Sequence, residues 1–139
     1  MDQVKRIIIS MKALDRQVTK QFEQKTAISM TRYELLSILN ERGTISQQVL
    51  KQVLQIDQAA ITRHLKLLEE AQLVTRCRNE QNNREVLVSI TAQGKRELNE
   101  CACAKDDFLK QLVRNLSQQQ LKDLEQLLMT LQRNSDECL

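Results

Sequence analysis

Residues 44–94, TISQQVLKQVLQIDQAAITRHLKLLEEAQLVTRCRNEQNNREVLVSITAQG, switch from helical to strand periodicity within a short span. Ser46 can cap a helix running to about Leu54, with Val49, Val53 and Leu54 on one buried face. Asp57 caps the next helix, because its carboxylate can accept the free backbone N–H of Ala59 or Ala60 and suits the positive end of the helix dipole. Ile61, Leu65 and Leu68 then recur at i, i+4 and i+7 and must face a core. The period next falls to two. Val74, Thr75, Arg76, Cys77 and Arg78 suit a strand, and Val86, Val88 and Ile90 alternate with Leu87, Ser89 and Thr91 in another. Between them Glu80-Gln81-Asn82-Asn83-Arg84-Glu85 reads as a polar turn with one arginine at its tip.

Two short helices, a strand, a polar turn, a second strand and a further helix start make the order of a winged helix-turn-helix. The expected fold class is mainly α, with a small two- to three-stranded β-wing and a helical dimerisation lobe. Since Ile61, Leu65 and Leu68 point inward, Gln58, Ala59, Thr62, Arg63 and Lys66 point outward. An amide can bridge an adenine edge and a guanidinium can grip guanine or phosphate. A small alanine lets the backbone approach a thymine methyl. Taken alone, this row could be an ordinary solvated helix face. The hairpin directly after it favours DNA, because a lone tip arginine, Arg84, suits the focused negative potential of a narrow minor groove.

The chain resembles the MarR family of bacterial transcriptional regulators. The resemblance lies in Thr31-Arg32-Tyr33-Glu34-Leu35-Leu36, Ile61-Thr62-Arg63-His64-Leu65, Leu73-Val74-Thr75-Arg76, Asn83-Arg84 and Val88-Ser89-Ile90-Thr91-Ala92-Gln93-Gly94, in that order and spacing. The family's wing often carries an Asp-Arg-Arg-like tip, where this sequence has Asn83, Arg84 and Glu85. The resemblance implies a homodimer on a pseudo-palindromic double-stranded operator and usually repression, relieved by a small molecule or by oxidation. It also implies an amphipathic effector between the lobes, where Met11, Asp15 and Val18 of the first helix would approach Arg32, Tyr33 and Leu36 of the second. The expected organisation is a single domain over 1–139, with a DNA-binding lobe at about 30–94 and a dimerisation lobe from about 1–25 and 95–134.

The flanks support a dimer independently. Val4, Ile7, Ile8, Met11, Leu14, Val18 and Phe22 give the first helix an apolar stripe. Leu98, Phe108, Leu109, Leu112, Val113 and Leu116 line the fifth, and Leu121, Leu124, Leu127, Leu128 and Leu131 the sixth. Thr31-x-x-Glu34 and Ser117-x-x-Gln120 have the spacing of capping boxes. A compact monomer could use these stripes as core, but long amphipathic helices at the chain ends pack fully only against more helices. A second copy supplies them, with Ile7, Ile8, Met11, Leu124 and Leu128 as the expected interface.

Composition excludes several classes. With 139 residues the chain can bury a core, and 2% aromatic content leaves no stacking platform for single-stranded nucleic acid. The net charge of +3 suits a polyanion only weakly, and residues 44–94 hold six Lys/Arg against five Asp/Glu. No apolar run approaches the ~20 residues of a membrane span, and charges interrupt the N-terminal apolar residues, so no membrane partner and a cytoplasmic location are expected.

Catalysis and metal binding have little basis. There is no phosphate-binding glycine loop, nucleophile elbow or His-Glu-x-x-His pair, so neither an enzyme nor a cofactor is expected. Cys101 and Cys103 lie about 200° apart around a helix at ~100° per residue, and His64 is the only histidine, so no metal site is expected. Cys77 is expected to be half-buried, and Cys138 to be able to oxidise between chains. The peroxide-sensing branch of the family carries its reactive cysteine in the first helix, where this chain has none. Two alternatives remain at this stage: a regulator of the same fold using another thiol, and a winged-helix module that binds protein.

Overall fold

The computed structural model describes residues 2–138. In chain order these form α1 (Gln3–Thr26), α2 (Met30–Arg42), β1 (Ile45–Ser46), α3 (Gln47–Leu54), α4 (Gln58–Glu70), β2 (Val74–Asn79), β3 (Asn82–Ile90), α5 (Ala92–Leu112) and α6 (Gln118–Glu137). The architecture is the mainly helical one expected, with a small antiparallel sheet in the order β1-β3-β2.

Side-chain caps set most helix starts. The Asp2 carboxylate accepts from the Lys5 N–H at 3.0 Å, and Ser46 Oγ from the Val49 N–H at 3.1 Å. Asp57 Oδ1 accepts from Ala60 N–H at 2.7 Å, as its position predicted. Ser117 and Gln120 form the expected reciprocal capping box. The second expected box is corrected. Ser29, in extended backbone, accepts from the Arg32 N–H at 3.1 Å and starts α2 at Met30, so Thr31 already lies in the first turn. Between α3 and α4 the chain reverses at Gln55, which takes a left-handed conformation (φ 54°) without a glycine.

The wing also differs in detail. Its turn is only Glu80-Gln81, and β3 begins at Asn82, so Arg84 sits on the strand just after the turn rather than at the tip. Asn side chains replace loop length: Asn79 Oδ1 accepts from the Gln81 N–H at 3.0 Å and Asn82 Oδ1 from the Arg84 N–H at 3.2 Å. The β2–β3 register shifts between Arg78 and Asn79. Cys77 is exposed, not half-buried as expected.

The residues up to Asp106 and those from Asp107 onward form two compact units. In the first, the core consists of Phe22, Leu35, Leu36, Leu39, Leu50, Ile61, Leu65, Leu73, Val74 and Val88, all almost free of solvent contact. Each such side chain contributes about 1.5–3 kcal/mol of burial. The α3 seam runs through Leu50 rather than Val53, which is 40% exposed. Gly94 allows the start of α5 to close on this core. A Cβ there would stand 2.5 Å from the Leu73 carbonyl oxygen and 2.7 Å from Ile90 Cγ1. Thr91 reinforces the joint, its Oγ1 donating to the Gln72 carbonyl at 2.8 Å and accepting from the Gly94 N–H at 3.0 Å.

The stripe of α1 changes along its length. Phe22 is buried and packs against Tyr33, with ring centroids 4.9 Å apart and the rings tilted by 49°, whereas Val4, Ile7, Ile8, Met11 and Leu14 are exposed. In the second unit α6 has no buried residue, and Leu124, Leu127, Leu128, Met129 and Leu131 are all exposed. Val113 and Leu116 fall in the connection after α5 rather than on the helix.

Candidate nucleic-acid interface

The surface of α4 follows from its core. With Ile61, Leu65 and Leu68 buried, Gln58, Ala59, Thr62, Arg63 and Lys66 are all exposed, as the i, i+4 pattern requires. No ion pair engages Arg63, Lys66 or Arg84 among the described residues. Their full charge is therefore available to an anion.

The polar part of this row is ordered internally. Thr62 Oγ1 accepts from Gln58 Nε2 at 3.3 Å and from Gln47 Nε2, at the start of α3, at 3.2 Å. Gln47 was not legible as a site residue, since nothing in sequence spacing places position 47 beside position 62.

On the wing, the Arg78 guanidinium donates to the Asn83 carbonyl at 2.7 Å from the facing strand, while remaining exposed. Two arginines, Arg78 and Arg84, thus flank the turn although the family-like second basic position holds Glu85. The Glu85 carboxylate accepts from Asn79 Nδ2 at 3.0 Å. Arg76, by contrast, is committed. It pairs with Glu69 of α4 at 3.0 Å, and this hydrogen bond holds the Glu69 carboxyl below its usual range. Its Nε is buried without a hydrogen-bond partner. Arg76 therefore ties the wing to α4 and is not free to meet DNA.

The expected effector residues are only partly brought together. Leu36 is fully buried, so it belongs to the core and is no pocket wall; its place on the α2 face directed at the interior accounts for this. Arg32 is bridged to Glu97 of α5 at 3.0 Å, and Tyr33 packs against Phe22. Met11 and Asp15 line separate clefts along α1, of about 470 and 610 Å³. Val18 is half-exposed on the same helix. Burial, and secondly the Asp15 charge, raise the Glu34 carboxyl above its usual range. A further cavity of about 510 Å³ is lined by Thr26, Ile28, Gln93, Arg96, Glu100 and Cys101 among others, and it is polar rather than apolar.

The cysteines offer no shared site. Cys101 is buried and its thiol is pushed up by burial, whereas Cys103, two residues on, is exposed, as helical geometry predicts. Among the described residues no group of His, Cys, Asp or Glu could hold a metal ion. No described helix is long and apolar enough to cross a membrane.

The family model for the MarR family matches residues 28–86, from the start of α2 into the wing. The chain is 34% identical over 128 residues to an uncharacterized HTH-type transcriptional regulator of Bacillus subtilis, YdgJ, covering 92% of this chain and 78% of that protein. Its fold is similar to that of a cysteine mutant of Escherichia coli MarR complexed with operator DNA, with a TM-score of 0.79 and 25% identity over 94% of this chain and 99% of that one. It is also similar to AbsC, a MarR family regulator of Streptomyces coelicolor, with a TM-score of 0.85 and 19% identity over 99% and 97% of the two chains. An α4 face with unpaired cations, a wing that carries two arginines and a match to YdgJ along nearly the whole chain lead to one conclusion: the protein belongs to the MarR family of DNA-binding transcriptional regulators and is not an enzyme.

Proposed function

We propose that the protein is a homodimeric repressor that binds a pseudo-palindromic double-stranded operator. The observation that carries this reading is the exposed row on α4. Gln58, Ala59, Thr62 and Arg63 read base edges in the major groove, and Lys66 holds a phosphate. Arg84 enters the minor groove, with Arg78 beside it on the backbone. The dimer forms through the apolar faces left uncovered on the terminal helices, with Ile7, Ile8 and Met11 of α1 and Leu124 and Leu128 of α6 at its centre. Two-fold symmetry then sets two α4 helices about 34 Å apart, one DNA turn. A regulator of this kind acts in the cytoplasm.

The domain reading follows from the same division of labour, with DNA binding in about 30–94 and dimerisation in about 1–25 and 95–134. Release by a small amphipathic effector completes the proposal. Met11, Asp15, Val18, Arg32 and Tyr33 offer it apolar surface with polar handles, whereas Leu36 is buried and takes no part. Such a ligand need only favour a dimer with wrongly spaced recognition helices, and a few kcal/mol of differential affinity suffices.

Fluorescence anisotropy with a duplex from the promoter of its own gene, across a salt series, tests the central claim. Log affinity falls with log salt at ~0.9 per neutralised phosphate. A flat salt response, or binding indifferent to sequence, overturns it and leaves the protein-interaction module as the better reading.

A further inference from the structure

We propose that Glu69 is a positioning residue for the wing: through its ion pair with Arg76 it sets the angle at which the β2–β3 ribbon leaves α4, and with it the reach of Arg84 toward DNA. The inference rests on the operator-binding reading above. In the sheet order β1-β3-β2, Val88 has Ile45 on one side and Arg76 on the other. The pairing of β1 goes no further than Ser46 and Leu87. Beyond that point the two strands of the wing have only each other, through Arg78 with Val86 and Asn79 with Asn82. A two-stranded ribbon is marginal by itself and twists more than a wider sheet, so its direction is decided at its root. Arg76 stands at that root, and its Nη2 meets Glu69 Oε1, in the last turn of α4, at 3.0 Å.

Donor and acceptor in this contact are fixed by chemistry, since a guanidinium can only donate and an ionised carboxylate can only accept. Among the described residues it is the one ion pair between α4 and the wing. The other edge of Arg76 is committed too. Its Nε is buried without a hydrogen-bond partner, so Glu69 supplies the compensating charge to a guanidinium already partly stripped of water. Without that carboxylate the cation gains by turning out to solvent, and the root of β2 is no longer drawn to α4. Arg84 lies about three residues further out, roughly 10 Å of strand, so a tilt of about 15° displaces it by roughly 3 Å, the length of a hydrogen bond. An ion pair with one partner as open as Glu69 adds little to stability. Its effect is on direction, and that separates it from a packing role.

The test uses the full chain, an operator duplex from the promoter of its own gene and anisotropy titrations. Arg84→Ala weakens binding by about fivefold when Glu69 is present. After Glu69→Gln, which keeps the shape and removes the charge, the same substitution costs less than about twofold, because the wing no longer reaches the duplex. Arg76→Met removes the pair without leaving an unpaired cation and lowers the cost of Arg84→Ala in the same way. Thermal melting confirms that each variant is folded at the temperature of the titration. An undiminished cost of Arg84→Ala in either folded variant overturns the inference, whatever the loss of overall affinity, because the pair would then be only structural. If Arg84→Ala costs nothing in the wild type, the wing has no contact to position and the inference fails while the α4 reading stands. If the wild type binds no sequence specifically, the repressor reading fails and this inference with it, and that is visible before any variant is made.

Discussion

The winged region and the terminal helices bury their apolar residues in opposite ways. From Ile45 to Val88 the short elements enclose Leu50, Ile61, Leu65, Leu73, Val74 and Val88 almost completely, and the exposed side chains are mostly polar. The first half of α1 and the whole of α6 carry as strong an apolar pattern, yet Val4, Ile7, Ile8, Leu124, Leu127 and Leu128 remain open to solvent. A similar periodicity therefore has two meanings. In short elements joined by tight turns it marks a core closed within one chain, and in α1 and α6 it leaves an apolar surface exposed, the surface that the proposed dimer would cover.

The largest effect expected from this contrast is on the closed core. Leu65→Ala should cost about 2–5 kcal/mol in urea unfolding, because it leaves a cavity in fully packed surroundings. That loss should not depend on protein concentration if the winged region is self-sufficient. Ile8→Asp or Leu128→Asp should instead weaken the dimer by at least ~2 kcal/mol, read as concentration-dependent dissociation in analytical ultracentrifugation. An unchanged dimer in both variants would erase the distinction between the regions.

Within the surface proposed to face DNA the expected effects are smaller. Arg63→Ala should cost on the order of 1–3 kcal/mol in operator affinity and relax preference at one base pair. Arg84→Ala should lose less specificity, and its deficit should be greatest in low salt. Equal binding by the Arg84 variant and the wild type would remove the wing from the interface.

The smallest effect concerns Glu34, whose carboxyl is raised by burial and then by Asp15. The folded state holds this proton more tightly than the unfolded chain does. Its contribution to stability is therefore fully present below the ordinary value of 4.5 and is lost as pH rises through the folded value. Glu34→Gln should raise Tm slightly at neutral pH and give no gain below 4.5. A lower Tm at neutral pH would show that the charge is compensated and that the α1–α2 contact is wetter than its burial implies.

Sequence logic worked where a local rule decides the outcome. Asp57 and Ser117 are caps because an oxygen three residues before a free N–H has a single good use, and Ile61, Leu65 and Leu68 are core because nothing else shares their face. It failed where neighbours across the fold decide. Ser29 took the start of α2 from Thr31, and Leu50 rather than Val53 met the interior. Arg84 moved off the tip because Asn79 and Asn82 close the turn with their own side chains. At the candidate interface, periodicity found the whole α4 row, but Gln47 and Arg78 come from other elements and are visible only when the chain is folded. Leu36 shows the reverse error, in which helix spacing suggested a pocket wall at a position the fold had sealed.

Gly94 sits where the link after α4, the foot of β3 and the start of α5 meet, with room for a hydrogen atom and not for a methyl group. The Thr91 hydroxyl fastens the same three segments. A joint this tight leaves little room for sliding, so a shift of the first turn of α5 would press on the foot of β3 and on the Gln72–Leu73 link that follows α4. If the α4 face reads DNA as proposed, an adjustment at the opening turn of α5 would reach it through this joint and not through a hinge.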